Sequence, residues 1–121
     1  MSFSNIQFKG TNISVENKWK DIVIQKFSTL QKHIGTPSDL SVQVEFEKMA
    51  SHNSGDIYRV EANIYSRGKV FRAEASAQSF EAAIDMVHKE LDRELAKAHD
   101  KHDTLIKRGR RKIKDMLRFG R

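Results

Sequence analysis

Cations carry the clearest chemical signal in this 121-residue chain. Lys107, Arg108, Arg110, Arg111, Lys112 and Lys114 crowd into one short C-terminal stretch, with Arg118 just beyond. Such a segment neutralises phosphates, releases their counterions and so binds polyanions with steep salt dependence. In helical form it sets its charges on one broad face, with Ile106, Ile113 and Leu117 opposite. Upstream, Lys89, Arg93 and Lys97 recur every four residues, which aligns them along one side of a helix as a phosphate rail. The same spacing fits a solvated face stitched by pairs such as Asp85 with Lys89. Lys18, Lys20 and Lys26 form a sparser group, and Arg72 sits on a strand where it can equally pair with Glu61 or Glu74. Tyr65 falls on the polar side of a strand and offers a ring for stacking on a base. A membrane-surface helix shares the basic pattern of the tail, but the apolar side of that segment is thin. The bland alternative is a solvated chain end that happens to be basic.

Catalytic chemistry finds little to work with. There is no cysteine, hence no disulfide, thiolate nucleophile or cysteine-ligated zinc. Glycine-rich phosphate loops, nucleophile elbows and zinc-protease motifs are also missing. Glu45 and Glu47 share one polar strand face, an arrangement that serves solubility more often than acid–base work. His99 and His102 lie three apart, each followed by an aspartate (Asp100 and Asp103), but zinc needs three or four ligands, and His33, His52 and His88 offer no completion. The reading therefore calls for no enzyme, no metal, no cofactor and no small-molecule substrate.

The elements that must position these cations follow from periodicity. Asn5 to Lys9 alternate apolar and polar, which predicts a first strand over about residues 3–9, punctuated by Gly10. Trp19, Val23, Phe27, Leu30 and Ile34 recur at helical spacing and predict one helix, entered at Glu16 and stopped before Gly35-Thr36-Pro37. Three alternating strands follow, carried by Leu40 to Phe46, Tyr58 to Ile64 and Phe71 to Ala77. Turn residues His52 to Asp56 and Ser66 to Lys69 join them as two hairpins. Ser79 is a natural N-cap for a second helix with the stripe Phe80, Ile84, Val87, Leu91, Leu95 and Ala98. On the core stripes, Trp19, Phe27 and Phe80 are packing residues rather than stacking platforms. The expected fold class is α+β: a two-layer sandwich in the order strand-helix-strand-strand-strand-helix, with two helices on one face of a four-stranded mixed sheet.

Charge divides this chain sharply. Residues 1–100 hold 13 Lys and Arg against 14 Asp and Glu, a net of −1, whereas residues 101–121 hold 9 against 2, a net of +7. The body cannot hold a polyanion by bulk charge, so the tail or local patches must do it. No apolar run is long enough to span a bilayer, and Met1-Ser2-Phe3-Ser4-Asn5 does not open like a signal peptide. A soluble cytoplasmic protein with no membrane partner is the expectation. We divide it into residues 1–102, the folded body, and residues 103–121, a basic tail that is either a helix extension or disordered.

Asn12-Ile13-Ser14-Val15, followed by Trp19, Val23, Lys26, Phe27 and Leu30, resembles the first-helix region of the ribosome hibernation-promoting factor family, also called ribosome-associated inhibitor A. Phe71-Arg72-Ala73-Glu74-Ala75, then Ala82-Ala83-Ile84-Asp85, then Leu91, Arg93, Leu95 and Lys97 resemble its signature at matching spacing. The likeness covers about residues 3–100. Departures are Glu81 where the family has an aromatic, Glu90 where a lysine is usual, and Gln25 and Thr29 in place of first-helix lysines. The resemblance implies binding to the small ribosomal subunit and its rRNA in the mRNA and tRNA channel, inhibiting translation and protecting idle ribosomes under stress. It implies rRNA contacts from Lys26, Arg72, Arg93 and Lys97, to which the charge pattern adds Lys20 and Lys89 in the body and Lys107, Arg108, Arg110, Arg111, Lys112 and Lys114 in the tail. Ending at Arg121, the chain is expected to be a short form without the dimerisation module of long members. A general double-stranded RNA-binding module and a protein-interaction adaptor are the competing readings.

Overall fold

The computed structural model describes residues 5–35, 37–50 and 55–101 in full, and residues 102–119 by their backbone. Seven elements follow in order: β1 (Ile6–Thr11), α1 (Asn17–Ser28), α2 (Gln31–Ile34), β2 (Ser41–Lys48), β3 (Tyr58–Ser66), β4 (Lys69–Ala77) and α3 (Phe80–Phe119). The strands form one sheet in the order β1-β2-β3-β4, parallel between β1 and β2 and antiparallel elsewhere. One register row runs Phe8, Val44, Ala62 and Ala73 across all four strands. Since side chains alternate along a strand, that row and its next-but-one neighbours gather the apolar residues on a single face. Val42, Val44, Phe46, Val60, Ala62 and Ile64 are sealed there, which is the mixed sheet with one dry face that the alternation predicts.

The dry face is closed by helices. Trp19, Val23 and Phe27 of α1 and Phe80, Ala83, Ile84, Val87, Leu91 and Leu95 of α3 join the same core. An aromatic cluster ties the layers: the Trp19 ring lies 4.5 Å from that of Phe80 and 5.8 Å from that of Phe46. Phe80 also meets Phe46 and Tyr58 edge-on, at 5.3 and 5.0 Å. Edge and tilted pairs of this kind add to their area burial.

Local chemistry sets the boundaries. Ser79 caps α3, its Oγ accepting the Ala82 N–H at 3.1 Å, as the sequence predicts. Arg67 and Gly68 both take positive φ, +53° and +75°, the two-residue hairpin turn whose twist suits the flanking strands. Asp39 pins that turn by accepting the N–H groups of Arg67 and Gly68 at 2.8 and 2.9 Å. Those two bonds hold its carboxyl below the usual carboxylate range. Glu16 does begin α1, without a side-chain cap bond.

Two boundaries differ from expectation. The predicted single helix over Trp19 to Ile34 breaks at Thr29 and Leu30 into α1 and the four-residue α2. Ser28 and Thr29 hydroxyls donate back to the Gln25 and Lys26 carbonyls at 2.6 and 2.7 Å, and the Leu30 N–H contracts to the Phe27 carbonyl. Such back-bonding tightens the turn and bends the path. β1 continues through Gly10 to Thr11, and Asn12 at φ +59° ends it. Gly10 is needed there because an added Cβ would stand 2.2 Å from the Ile13 carbonyl oxygen. Residues 3 and 4 of that predicted strand, and His52 to Ser54 of the first hairpin turn, lie outside the described residues.

Phe80 meets three rings in the core, so Phe80→Ala should lower unfolding free energy by about 3–5 kcal/mol. Urea titration followed by fluorescence of the single Trp19 measures it; a decrease below about 1 kcal/mol would mean the aromatic cluster does not hold the layers together.

Candidate nucleic-acid interface

The expected phosphate contacts distribute over two opposed surfaces. Arg72 projects from the open side of the sheet, while Lys20, Lys26, Lys89, Arg93 and Lys97 belong to the helical layer. Lys107, Arg108, Arg110, Arg111, Lys112 and Lys114 follow on the helical backbone of α3, their side chains outside the described residues. Arg72 thus shares no surface with the rail.

The open sheet face is a carboxylate cluster organised by Arg59. Its guanidinium binds Glu61, Glu74 and Glu47, the last at 3.2 Å. Arg72 Nε reaches Glu61 at 3.0 Å, the cross-strand pairing that competes with its nucleic-acid reading. Thr11 donates to Glu45 at 2.6 Å, and Lys9 stands beside Glu45 in the register. Burial alone would lower the Arg59 pKa, but hydrogen bonds and charge from Glu74 and Glu61 raise it well above its ordinary value. Burial likewise pushes Glu61 up, yet the bonds from Arg59 and Asn63 prevail and hold it below the carboxylate norm. Four glutamates against Arg59, Arg72 and Lys9 leave this face negative, with both arginines already engaged.

On the helical side, several cations are also committed. Lys26 bridges from α1 to Asp85 of α3 at 2.6 Å. Thr29 Oγ1 lies 2.8 Å from His88 Nε2 and sends its own proton to Lys26, so His88 donates through Nε2. Desolvation keeps the His88 pKa below its ordinary value, which suits that neutral donor. His33 Nε2 donates to Asp92 at 2.9 Å and draws that carboxyl down. Lys26–Asp85, Thr29–His88 and His33–Asp92 form a polar seam along which α1 and α2 meet α3. Lys20 rests its ammonium 5.8 Å from the Phe8 ring.

Along the outer side of α3, Arg93 binds Glu90 at 2.7 Å and approaches Glu94 at 3.8 Å. Lys89 and Lys97 are exposed and make no ion pair among the described residues. Lys101 extends their four-residue spacing and is exposed too, so a charge that the sequence groups with the tail also belongs to the rail. Carrying the periodicity one more step is the signal that finds it. Asp85 satisfies Lys26 rather than Lys89, which removes the pairing that competed with the rail at that position. Tyr65 is 36% exposed on the sheet side, beside exposed Val70.

Among the described residues, a four-stranded mixed sheet lies under two main helices, and the cations without an ion pair fall mostly on the helical side. The family described as sigma 54 modulation protein / S30EA ribosomal protein matches residues 6–103, and the chain belongs to that family. It is 30% identical over 100 residues to a ribosome hibernation promotion factor of Mycobacterium tuberculosis, covering 83% of this chain and 45% of that protein. Similarity to one from Picosynechococcus is 28% over 96 residues, 78% of this chain and 48% of the relative. The chain thus spans about half the length of these two curated relatives. A Pseudomonas putida ribosome hibernation promoting factor is 26% identical over 101 residues, covering 84% of this chain and 92% of that protein. The fold resembles the N-terminal domain of Thermus thermophilus Protein Y, with a TM-score of 0.63 at 21% identity over 75% of this chain and 93% of that one. A ribosomal subunit interface protein from Coxiella burnetii gives 0.59 at 20% identity, covering 77% and 94%.

Arg59→Gln removes the cation that three glutamates share. Stability should fall by about 1–3 kcal/mol at neutral pH, since the pairs are only partly exposed. The wild-type Glu61 contribution is present above the ordinary carboxylate pKa and lost as pH falls through its depressed value. The variant should instead recover part of its deficit on acidification, as crowded glutamates protonate. Thermal melting at neutral and mildly acid pH checks it; parallel pH curves would refute the shared-cation account.

Proposed function

We propose that this chain is a ribosome hibernation factor that binds the small ribosomal subunit through its rRNA. There it fills the channel that mRNA and tRNA otherwise occupy, silencing idle ribosomes and protecting them under stress. One observation carries the reading: α3, whose first turns are clamped in the core, continues without a break to Phe119, through most of the basic segment that begins at residue 101. A helix of 40 residues is about 60 Å long, against about 30 Å for a nine-residue strand. The folded body therefore carries a cationic rod that outruns its own sheet. Family membership and the names of the relatives support a ribosomal partner.

Occlusion is the mechanism, and it requires no bond to form or break. Residues 1–102 are the ribosome-binding body and residues 103–121 its basic extension, working in the cytoplasm. Lys89 and Lys97 meet phosphates directly, Arg93 by exchanging Glu90 for a phosphate, and Lys107, Arg108, Arg110, Arg111, Lys112 and Lys114 extend the row. Lys20 and Lys26 sit on the α1 shoulder. A channel encloses its occupant, so Arg72 addresses a different wall. Contacts to phosphate position a protein without reading sequence, and a fixed rRNA shape needs little more.

Sedimentation with vacant small subunits at two salt concentrations tests the proposal. The chain should co-sediment, and bound tRNA should compete with it. Replacing Lys107, Arg108, Arg110 and Arg111 by Gln should weaken binding and flatten the salt slope by about 0.7–0.9 for every phosphate the variant no longer neutralises. Equal competition by plain RNA duplex would return the double-stranded RNA reading, and a flat salt response the adaptor reading.

A further inference from the structure

At one end of the sandwich, α2, the β3–β4 turn and α3 enclose a cavity of about 400 Å³. Its apolar floor includes Ile34, Phe71 and Leu95, and its cations include Lys32, Arg67 and Lys69. Among the described residues, no carboxylate lines it. Lys32, Arg67 and Lys69 make no ion pair among the described residues, in contrast to Lys26, Arg59, Arg72 and Arg93. Asp39 and Asp92 act by charge on Arg67 and Lys32, but their hydrogen bonds go to the backbone of the turn and to His33. An apolar cavity that gathers three cations, none of them in an ion pair among the described residues, is complementary to an anion with an apolar body.

Arg67 is held in place before any ligand arrives. Asp39 grips its backbone, and one of its five guanidinium donors goes to the Ile34 carbonyl at 3.1 Å. The remaining donors form a fixed fork, suited to phosphate, and the guanidinium plane suits stacking on a base. Ser66, only 5% exposed, adds a hydroxyl to the wall. Ligand pockets run from about 300 to 1,000 Å³, so this one is sized for something as small as a mononucleotide.

We propose that this cavity binds a nucleotide, with the phosphate on Lys32, Arg67 and Lys69 and the base over Phe71 against Ile34 and Leu95. Two sources share that chemistry: a free mononucleotide, and an unpaired nucleotide of an RNA strand. The site lies apart from the outer rail of α3, and it does not depend on ribosome binding.

Amide chemical-shift mapping of the full chain tests it, with AMP, UMP, single-stranded hexauridylate and inorganic phosphate as probes. Saturable shifts should centre on Gly35, Arg67, Lys69, Phe71 and Leu95. Affinity should fall at least about tenfold in Lys32→Gln/Lys69→Gln and separately in Arg67→Gln, as expected when charge-assisted bonds are removed. Unchanged amide dispersion elsewhere verifies that these surface variants fold. Response to the mononucleotides assigns a free nucleotide, and response to hexauridylate alone assigns an RNA strand. No saturable shift at these amides with any probe, or an equal response to inorganic phosphate, overturns the proposal. Because the readout is local to the cavity, a failure of subunit binding leaves it unaffected.

Discussion

Phe80, Ala83, Ile84, Val87, Leu91 and Leu95 must all face the sheet, and this fixes the rotation of α3 about its axis. A buried aliphatic or aromatic side chain is worth about 1.5–3 kcal/mol, so turning the helix to expose even two of these would erase much of the stability of a small domain. The constraint reaches well past the core. With the inward stripe fixed, Lys89, Lys97 and Lys101 have to face solvent. Asp85, His88 and Asp92 have to meet α1 and α2. The charge pattern of the helical layer is a consequence of apolar packing, not an addition to it.

That geometry also explains how a body of near-neutral charge can present a cationic side. Its carboxylates are not spread evenly. Glu45, Glu47, Glu61 and Glu74 gather on the open sheet face, where Arg59 and Arg72 tie most of them down. Asp85 and Asp92 are consumed in the seam. What is left unpaired among the described residues is mostly positive: Lys89, Lys97 and Lys101 on one side, Lys32, Arg67 and Lys69 at one end. Partner selection by charge then depends on which face a polyanion meets, more than on the net value.

Much of the fold is legible in the sequence because a strand with one dry face must alternate and a capped amphipathic helix must repeat. Ser79, the Phe80 stripe and the Arg67-Gly68 turn declare themselves for that reason. Thr29 does not, since its hydroxyl breaks the helix through a bond to Lys26 that competes with an otherwise continuous apolar stripe. Nor is it visible that β1 passes Gly10, because the reason is a carbonyl three residues away in the folded chain. For the candidate interface, residue type and spacing locate the rail. They do not reveal which cations are spoken for, as Lys26 finds Asp85 across 59 residues of sequence. Arg67 and Lys69 are turn residues in the sequence; their place beside Lys32 is created by the sandwich.

The pairing of Arg93 bears on how tightly such a surface can hold phosphate. Its bonds to Glu90 raise its pKa, and both side chains are well exposed. Exposed pairs contribute little, so exchanging Glu90 for a phosphate costs little in stability but adds little in affinity, because one partner replaces another. Lys89 and Lys97 face no such exchange. Glu90 stands where the resembling family usually has lysine, so this chain both loses a cation and occupies a neighbouring one. On the proposed reading, a body weakened in this way draws further charge from the same helix a few turns on, where Lys107, Arg108, Arg110, Arg111, Lys112 and Lys114 follow.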